Sequence, residues 1–106
     1  MEQYVIKRNG EYEPFASFKI EDALKKGFHS VSEVYDSVVF DRILRNLASK
    51  TTWAVEEIQD LIEKELFQSG YFQVMRSFML YRHTRKLQRE HVAGLNDDTT
   101  YVDSTQ

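Results

Sequence analysis

A change of hydrophobic period at Ser17 constrains this chain more than any other feature. Before it, residues 3–8 (Gln-Tyr-Val-Ile-Lys-Arg) have strand-forming content, and residues 11–15 (Glu-Tyr-Glu-Pro-Phe) alternate polar and apolar. Asn9-Gly10 lies between them, a dipeptide suited to the positive φ angles of a tight hairpin turn. Pro14 has no N–H to give a ladder, so it belongs at a sheet edge or a strand's end. After Ser17 the apolar residues recur at helical spacing instead. Ile20, Ala23, Leu24 and Phe28 share one face, Ser17 is the expected N-cap, and Gly27 is expected to weaken the last turn.

Three further helices follow from the same periodicity. Tyr35, Val39, Ile43 and Leu47, widened by Phe40 and Leu44, predict a helix over about 34–49. Residues 50–54 (Lys-Thr-Thr-Trp-Ala) break that pattern and suit a short third strand. Val55, Ile58, Leu61, Ile62 and Leu66 define the next helix, with Glu56 and Glu57 near its positive N-terminus and Gly70 as its stop. Val74, Met75, Phe78 and Tyr81 predict a last helix over about 71–90. The expected class is α+β, a small β-hairpin or three-stranded sheet packed on four helices.

Composition closes off several functions. The chain has 106 residues and no cysteine, so disulfides, thiolate metal sites and cysteine nucleophiles are excluded within it. A net charge of −3 argues against attraction to nucleic acid by overall charge. No apolar run approaches the roughly 18 residues that span a bilayer, and the charged start does not resemble a signal peptide. No membrane association and a cytoplasmic location are therefore expected. Residues 1–92 are expected to form the domain, with 93–106 a flexible tail or a linker to a larger catalytic part.

Local clusters must carry any anion-binding function. Lys7 and Arg8 sit immediately before the turn, and Lys19 opens the first helix, where unsatisfied backbone N–H groups favour phosphate oxygens. Solvated charges that protect an edge strand are the plainer explanation of such a basic pair, and on spacing alone the commoner one. Arg76, Arg82, Arg85, Lys86 and Arg89 place five of the 14 Lys and Arg residues on the last helix. Arg82, Arg85 and Arg89 share a face by spacing. They are placed either to reach a triphosphate or an acidic partner, or simply to complement the helix dipole. His29, His83 and His91 lack metal-site spacing, and neither common glycine-rich phosphate loop is present. Asp22, Glu56, Glu57, Asp60 and Glu63 read as helix-surface residues, so no acid–base pair marks an enzyme.

Taken in order, these segments resemble the ATP-cone domain. The matching pieces are Val5-Ile-Lys-Arg-Asn-Gly10, Glu13-Pro-Phe-Ala-Ser-Phe-Lys-Ile20, Val55-Glu-Glu-Ile-Gln-Asp-Leu-Ile-Glu63 and Tyr81-Arg-His-Thr-Arg85. The resemblance implies a small sheet capping a four-helix bundle. It also implies a regulatory, non-catalytic module, of the kind found mainly at the N-terminus of ribonucleotide reductases, that binds ATP to permit activity and dATP to suppress it. The ending Tyr81 to Glu90 looks most like the anaerobic, glycyl-radical ribonucleoside-triphosphate reductase, whose catalytic domain would then be part of the same chain. Association of copies through the cone is a further expectation.

Carried over residue by residue, the resemblance gives Lys7, Arg8 and Lys19 phosphate contacts, with Asn9 standing where the family usually has Asp. Glu13, Phe15 and Ala16 would line the base and sugar side, Glu13 accepting from an adenine amino group. Ile20 would pack on the base, and Val55, Ile58 and Gln59 would close the base pocket. Arg82 and Arg85 are phosphate partners by the same analogy. Mg²⁺ would arrive with the nucleotide, held by phosphate oxygens and water rather than by protein side chains. Two alternatives remain open: a helical protein-interaction module, and the cone of another reductase class or of a nucleotide-sensing repressor.

Overall fold

The computed structural model describes residues 2–91. The expected tail at 93–106 lies outside these residues. Three strands and four helices follow one another as β1 (Tyr4–Ile6), β2 (Tyr12–Pro14), α1 (Ser17–Ser30), α2 (Ser37–Leu47), β3 (Thr52–Ala54), α3 (Val55–Gln68) and α4 (Phe72–His91). The fold is the expected α+β arrangement, with the third strand formed.

The sheet has the order β2-β1-β3. β1 pairs antiparallel with β2 (Val5 opposite Glu13) and parallel with β3 (Val5 opposite Trp53). Cross-strand partners share a face, so Glu13, Val5 and Trp53 form one row, and Val5 is fully buried against the helices. Pro14 ends β2 on the sheet's edge, where its missing N–H costs no ladder bond.

The hairpin is wider than the sequence suggested. β1 stops at Ile6, and Lys7, Arg8, Asn9 and Gly10 all belong to the turn. The Gly10 N–H donates to the Lys7 carbonyl at 2.8 Å and the Lys7 N–H to the Glu11 carbonyl at 2.7 Å. Gly10 takes φ +90, and among the described residues Ser32 is the one non-glycine residue with positive φ. Asn9 therefore stays at negative φ and uses its side chain, whose Oδ1 accepts from the Glu11 N–H at 3.0 Å. This is the geometry of a three-residue loop closed by a left-handed glycine, not a two-residue Asn-Gly turn.

The helices bury the faces that periodicity marked. Ile20, Ala23, Leu24 and Phe28 of α1, Val39, Ile43 and Leu47 of α2, and Val55, Ile58, Ile62 and Leu66 of α3 join Val74 and Phe78 of α4 in the core. Met75 packs against its edge, whereas Tyr81, expected inside, is 37% exposed. α2 starts three residues later than expected, at the point where the Asp36 carboxylate accepts from the Val38 N–H at 2.9 Å. Ser17 lies inside α1 rather than capping it. Ala16 holds the cap position with extended backbone, its carbonyl accepts from the Lys19 N–H at 3.1 Å, and no side chain caps the helix.

Gly27 has a different role from a weak last turn. A Cβ there would stand 3.2 Å from Phe78 Cε2 and 3.4 Å from Val74 Cγ1, so the missing side chain is what lets α1 and α4 approach. At the other end of the bundle, the Leu47 carbonyl that closes α2 accepts from Trp53 Nε1 at 3.0 Å and from Gln3 Nε2 at 2.6 Å. Those two bonds tie the sheet to the helices.

Candidate functional site

Parallel pairing of β1 with β3 decides where the turn's cations fall. Ile6 lies opposite Ala54, and α3 begins at the next residue, Val55. The turn that leaves β1 is thus delivered to the N-terminus of α3. Ile6, Lys7, Arg8, Ala54, Val55 and Glu56 line an open cleft there of about 320 Å³. The α3 start is stabilised by Glu57, which accepts from the Ala54 N–H at 2.9 Å. That bond, followed by Lys50, holds the Glu57 carboxyl below its ordinary range.

Arg8 reaches from the turn to α3. Its Nη2 donates to Gln59 Oε1 at 3.4 Å, and its Nε stands 3.8 Å from Glu56 Oε2. Gln59 is 2% exposed, a polar side chain on the core side of α3 that a guanidinium satisfies. Lys7 keeps closer to its own turn, pairing with Glu11 at 3.6 Å.

A second group comes from β2 and α1. Glu13, facing inward beside Val5, pairs with Lys19 Nζ at 3.2 Å, and both side chains are largely covered. Lys19 sits in the first turn of α1, whose N–H groups have no side-chain cap. Phe15 packs on the edge of the core and Ala16 holds the cap position. Ile20 and Ile58 are fully buried and Val55 nearly so. All three belong to the hydrophobic core, and of them Val55 also lines the open cleft.

From α4, Arg82 crosses to α3 and meets three carboxylates: Asp60 at 2.8 Å, Glu63 at 3.1 Å and Glu56 at 3.7 Å. Burial works against the Arg82 charge, but the hydrogen bonds to Asp60 and Glu63 and their charges outweigh it, raising its pKa further. Arg85 instead bonds along its own helix, Nη1 donating to Gln88 Oε1 at 2.6 Å. Arg82, Arg85 and Arg89 do share the half-buried side of α4. Arg82 and Arg89 line a second cleft of about 240 Å³ with Glu56, Glu63, Met79, His83 and Lys86.

Arg8, Gln59, Glu56 and Arg82 are therefore one connected group, and Glu13 with Lys19 a second. Sequence reasoning read Glu56, Asp60 and Glu63 as plain surface residues. Their i, i+4, i+7 spacing puts them on one stripe of α3, and the basic stripe of α4 was the signal that could have paired them. Among the described residues no cluster of His, Cys, Asp and Glu is arranged to hold a metal, and no helix is long and apolar enough to cross a membrane.

Residues 3–87 match the family described as the ATP cone domain. The chain is 29% identical over 101 residues to the anaerobic ribonucleoside-triphosphate reductase of Salmonella typhimurium, covering 92% of this chain and 14% of that protein. It is 30% identical over 108 residues to the ribonucleoside-diphosphate reductase subunit alpha of Chlamydia pneumoniae, covering 86% and 10%. The corresponding subunit of Treponema pallidum is 32% identical, with 93% and 13% covered. The chain thus spans only about a tenth to a seventh of the length of these curated relatives.

Proposed function

This chain belongs to the ATP-cone family, and from that premise we propose that it is the nucleotide-binding regulatory domain of a ribonucleotide reductase, answering to ATP and dATP. The observation that carries the nucleotide assignment is the delivery of Arg8 and Lys7 by the β1–β3 pairing onto the N-terminus of α3, beside an open cleft. The uncapped start of α1 with Lys19 adds a second place suited to phosphate oxygens.

In this assignment Lys7, Arg8 and Lys19 take phosphates, with Arg82 reached once its carboxylate partners yield. Asn9 fixes the turn that presents Arg8. Glu13, Phe15 and Ala16 stand toward base and sugar, the Glu13 carboxylate accepting from an adenine amino group. Ile20 packs on the base, Val55, Ile58 and Gln59 close the base pocket, with Gln59 also bonded to Arg8, and Arg85 is a further phosphate partner. Mg²⁺ enters on the nucleotide, with phosphate oxygens and water as its ligands.

The module contributes binding rather than chemistry. ATP and dATP differ by one 2′-hydroxyl, so only a difference in their binding free energy between two states of the parent enzyme can switch it. The partner is then the catalytic domain of the same chain, and contact between cones of two copies is the natural way to transmit the change. Of the reductase types, we favour the anaerobic triphosphate enzyme, supported by the Tyr81–Glu90 ending and by the Salmonella match. The domain would end near residue 92, in a cytoplasmic enzyme.

Calorimetric titration of the chain with ATP and dATP tests the assignment. Saturable binding of at least one nucleotide is expected, weakened in Arg8→Ala with the fold retained. Binding of neither nucleotide would overturn it. A catalytic domain without a glycyl-radical segment in the complete protein would overturn the anaerobic assignment alone.

A further inference from the structure

The Glu56 carboxylate lies between the two guanidiniums of the site. Its Oε2 faces Arg8 Nε at 3.8 Å and its Oε1 faces Arg82 Nη2 at 3.7 Å. Each oxygen thus serves a different arginine, one from the β1–β2 turn and one from α4. Among the described residues Glu56 is also the one that lines both clefts, the one beside Lys7 and Arg8 and the one beside Arg82 and Arg89. An anionic group in this position occupies the place a phosphate would take. The guanidiniums are well covered, with side chains 16% and 22% exposed, while Glu56 is 61% exposed. The carboxylate is therefore the exposed member of both pairs, the one that can turn into water without uncovering a buried side chain.

We propose that Glu56 is an internal competitor for the phosphates of the nucleotide, a built-in anion that holds Arg8 and Arg82 together in the unliganded domain and must leave when a triphosphate binds. The proposal rests on the assignment of this cleft to a nucleotide. The other acidic residues on this stripe act differently. Asp60 and Glu63 both meet Arg82 through Nη1, whereas Glu56 meets it through Nη2, so those two set the position of Arg82 from the other nitrogen. Glu57, beside Glu56 in the same first turn, is committed to the Ala54 N–H and to Lys50. A merely dipole-stabilising role for Glu56 would make it equivalent to Glu57. Competition does not.

The physical consequence is an affinity set by exchange of one anion for another. Two solvent-accessible ion pairs are surrendered on binding, and such pairs are individually weak. Removing the Glu56 charge should therefore tighten triphosphate binding by about threefold to tenfold. The gain should grow with the number of phosphates, because a monophosphate contests less of the space between the arginines.

The test is isothermal titration of ATP and AMP into wild type, Glu56→Gln, Glu56→Asp and Glu57→Gln, with folding checked by thermal melting. Glu56→Gln should raise ATP affinity about threefold to tenfold and AMP affinity by less. Glu56→Asp, which keeps the charge, should stay within about twofold of wild type, and Glu57→Gln should lose stability without gaining affinity. Equal or weaker ATP binding in Glu56→Gln, or an equal gain in Glu57→Gln, overturns the competitor role while leaving the nucleotide assignment standing. Absence of ATP binding in the wild type itself overturns both.

Discussion

Replacing Asp36 with alanine should destabilise this domain well beyond an ordinary surface substitution, because two separate bonds end on that side chain. One oxygen accepts from the Val38 N–H at 2.9 Å and caps α2; the other accepts from the Tyr71 hydroxyl at 2.7 Å, just before α4. The Tyr71 ring in turn meets Phe28 of α1 edge-on at 4.9 Å, so the carboxylate joins the starts of two helices to a third. Loss of the cap costs about 1 kcal/mol. Loss of the charged hydrogen bond costs about 1 kcal/mol more, at the low end because the pair is partly solvated. The sum of about 2 kcal/mol corresponds to a fall in Tm of about 8–16 °C for a domain of this size. Urea denaturation of Asp36→Ala, Tyr71→Phe and the double variant should give a coupling energy of about 1 kcal/mol. The pH dependence has a fixed sign. The Tyr71 hydroxyl, and next the Val38 N–H, hold the Asp36 carboxyl below its ordinary value. A lowered carboxyl pKa means stability present above the unfolded value of about 4 and lost as pH falls through the lower folded value. The deficit of Asp36→Ala should then be full at pH 7 and shrink below about pH 4. A deficit under about 0.5 kcal/mol at neutral pH, one that persists unchanged in acid, or strict additivity with Tyr71→Phe would refute this account.

Gly27→Val should destabilise by about 2 kcal/mol through overpacking against Phe78 and Val74, read as a lower urea midpoint, and a neutral result would show that α1 and α4 can separate freely. Lys19→Ala should weaken ATP binding by about tenfold or more, the loss of one charged hydrogen bond, and should reduce the thermal shift that a ligand at about 100 times its Kd gives as roughly 2.7 kcal/mol. An undiminished shift would remove Lys19 from the site. Trp53→Phe should cost about 1 kcal/mol, because the Leu47 carbonyl would keep only the Gln3 amide as a side-chain donor; thermal melting checks it.

The helical framework was legible because burial imposes one period along each segment. Ile20, Leu24 and Phe28, or Ile58, Ile62 and Leu66, can share a buried face only if the backbone is helical, so pattern and packing are the same fact. What escaped were features set by contacts between segments. Within α1 alone Gly27 is only a weak helix former, and its role comes from α4, whose Phe78 fills the space a side chain there would need. Ser17 has the residue type of a cap, but the chain enters the helix one residue earlier, at Ala16. The Asn9-Gly10 pair signalled a turn correctly and its type wrongly, since Asn9 bonds through its side chain instead of taking positive φ.

The candidate site divides along the same line. Lys7, Arg8, Lys19 and Arg82 stood out by residue type and place, but a cation's state depends on which anions the fold brings to it. Those anions come from different distances: Glu11 is four residues from Lys7, whereas Glu56 reaches Arg8 from another strand-and-helix unit altogether. Spacing marks the acidic stripe of α3 and the basic stripe of α4, but only the packing of the segments shows which carboxylate each cation meets, Glu13 at Lys19 and three acids at Arg82. That pairing changes what binding means. Bare cations would attract any polyphosphate strongly, whereas cations held by carboxylates release only the difference between two similar interactions. If the proposed site is the nucleotide site, small rearrangements of α3 or α4 would shift its affinity several-fold, because each alters how firmly the resident carboxylates hold. On the proposed assignment, the same acidic stripe that made α3 look like an ordinary solvated helix would be the part of the site through which its affinity is tuned.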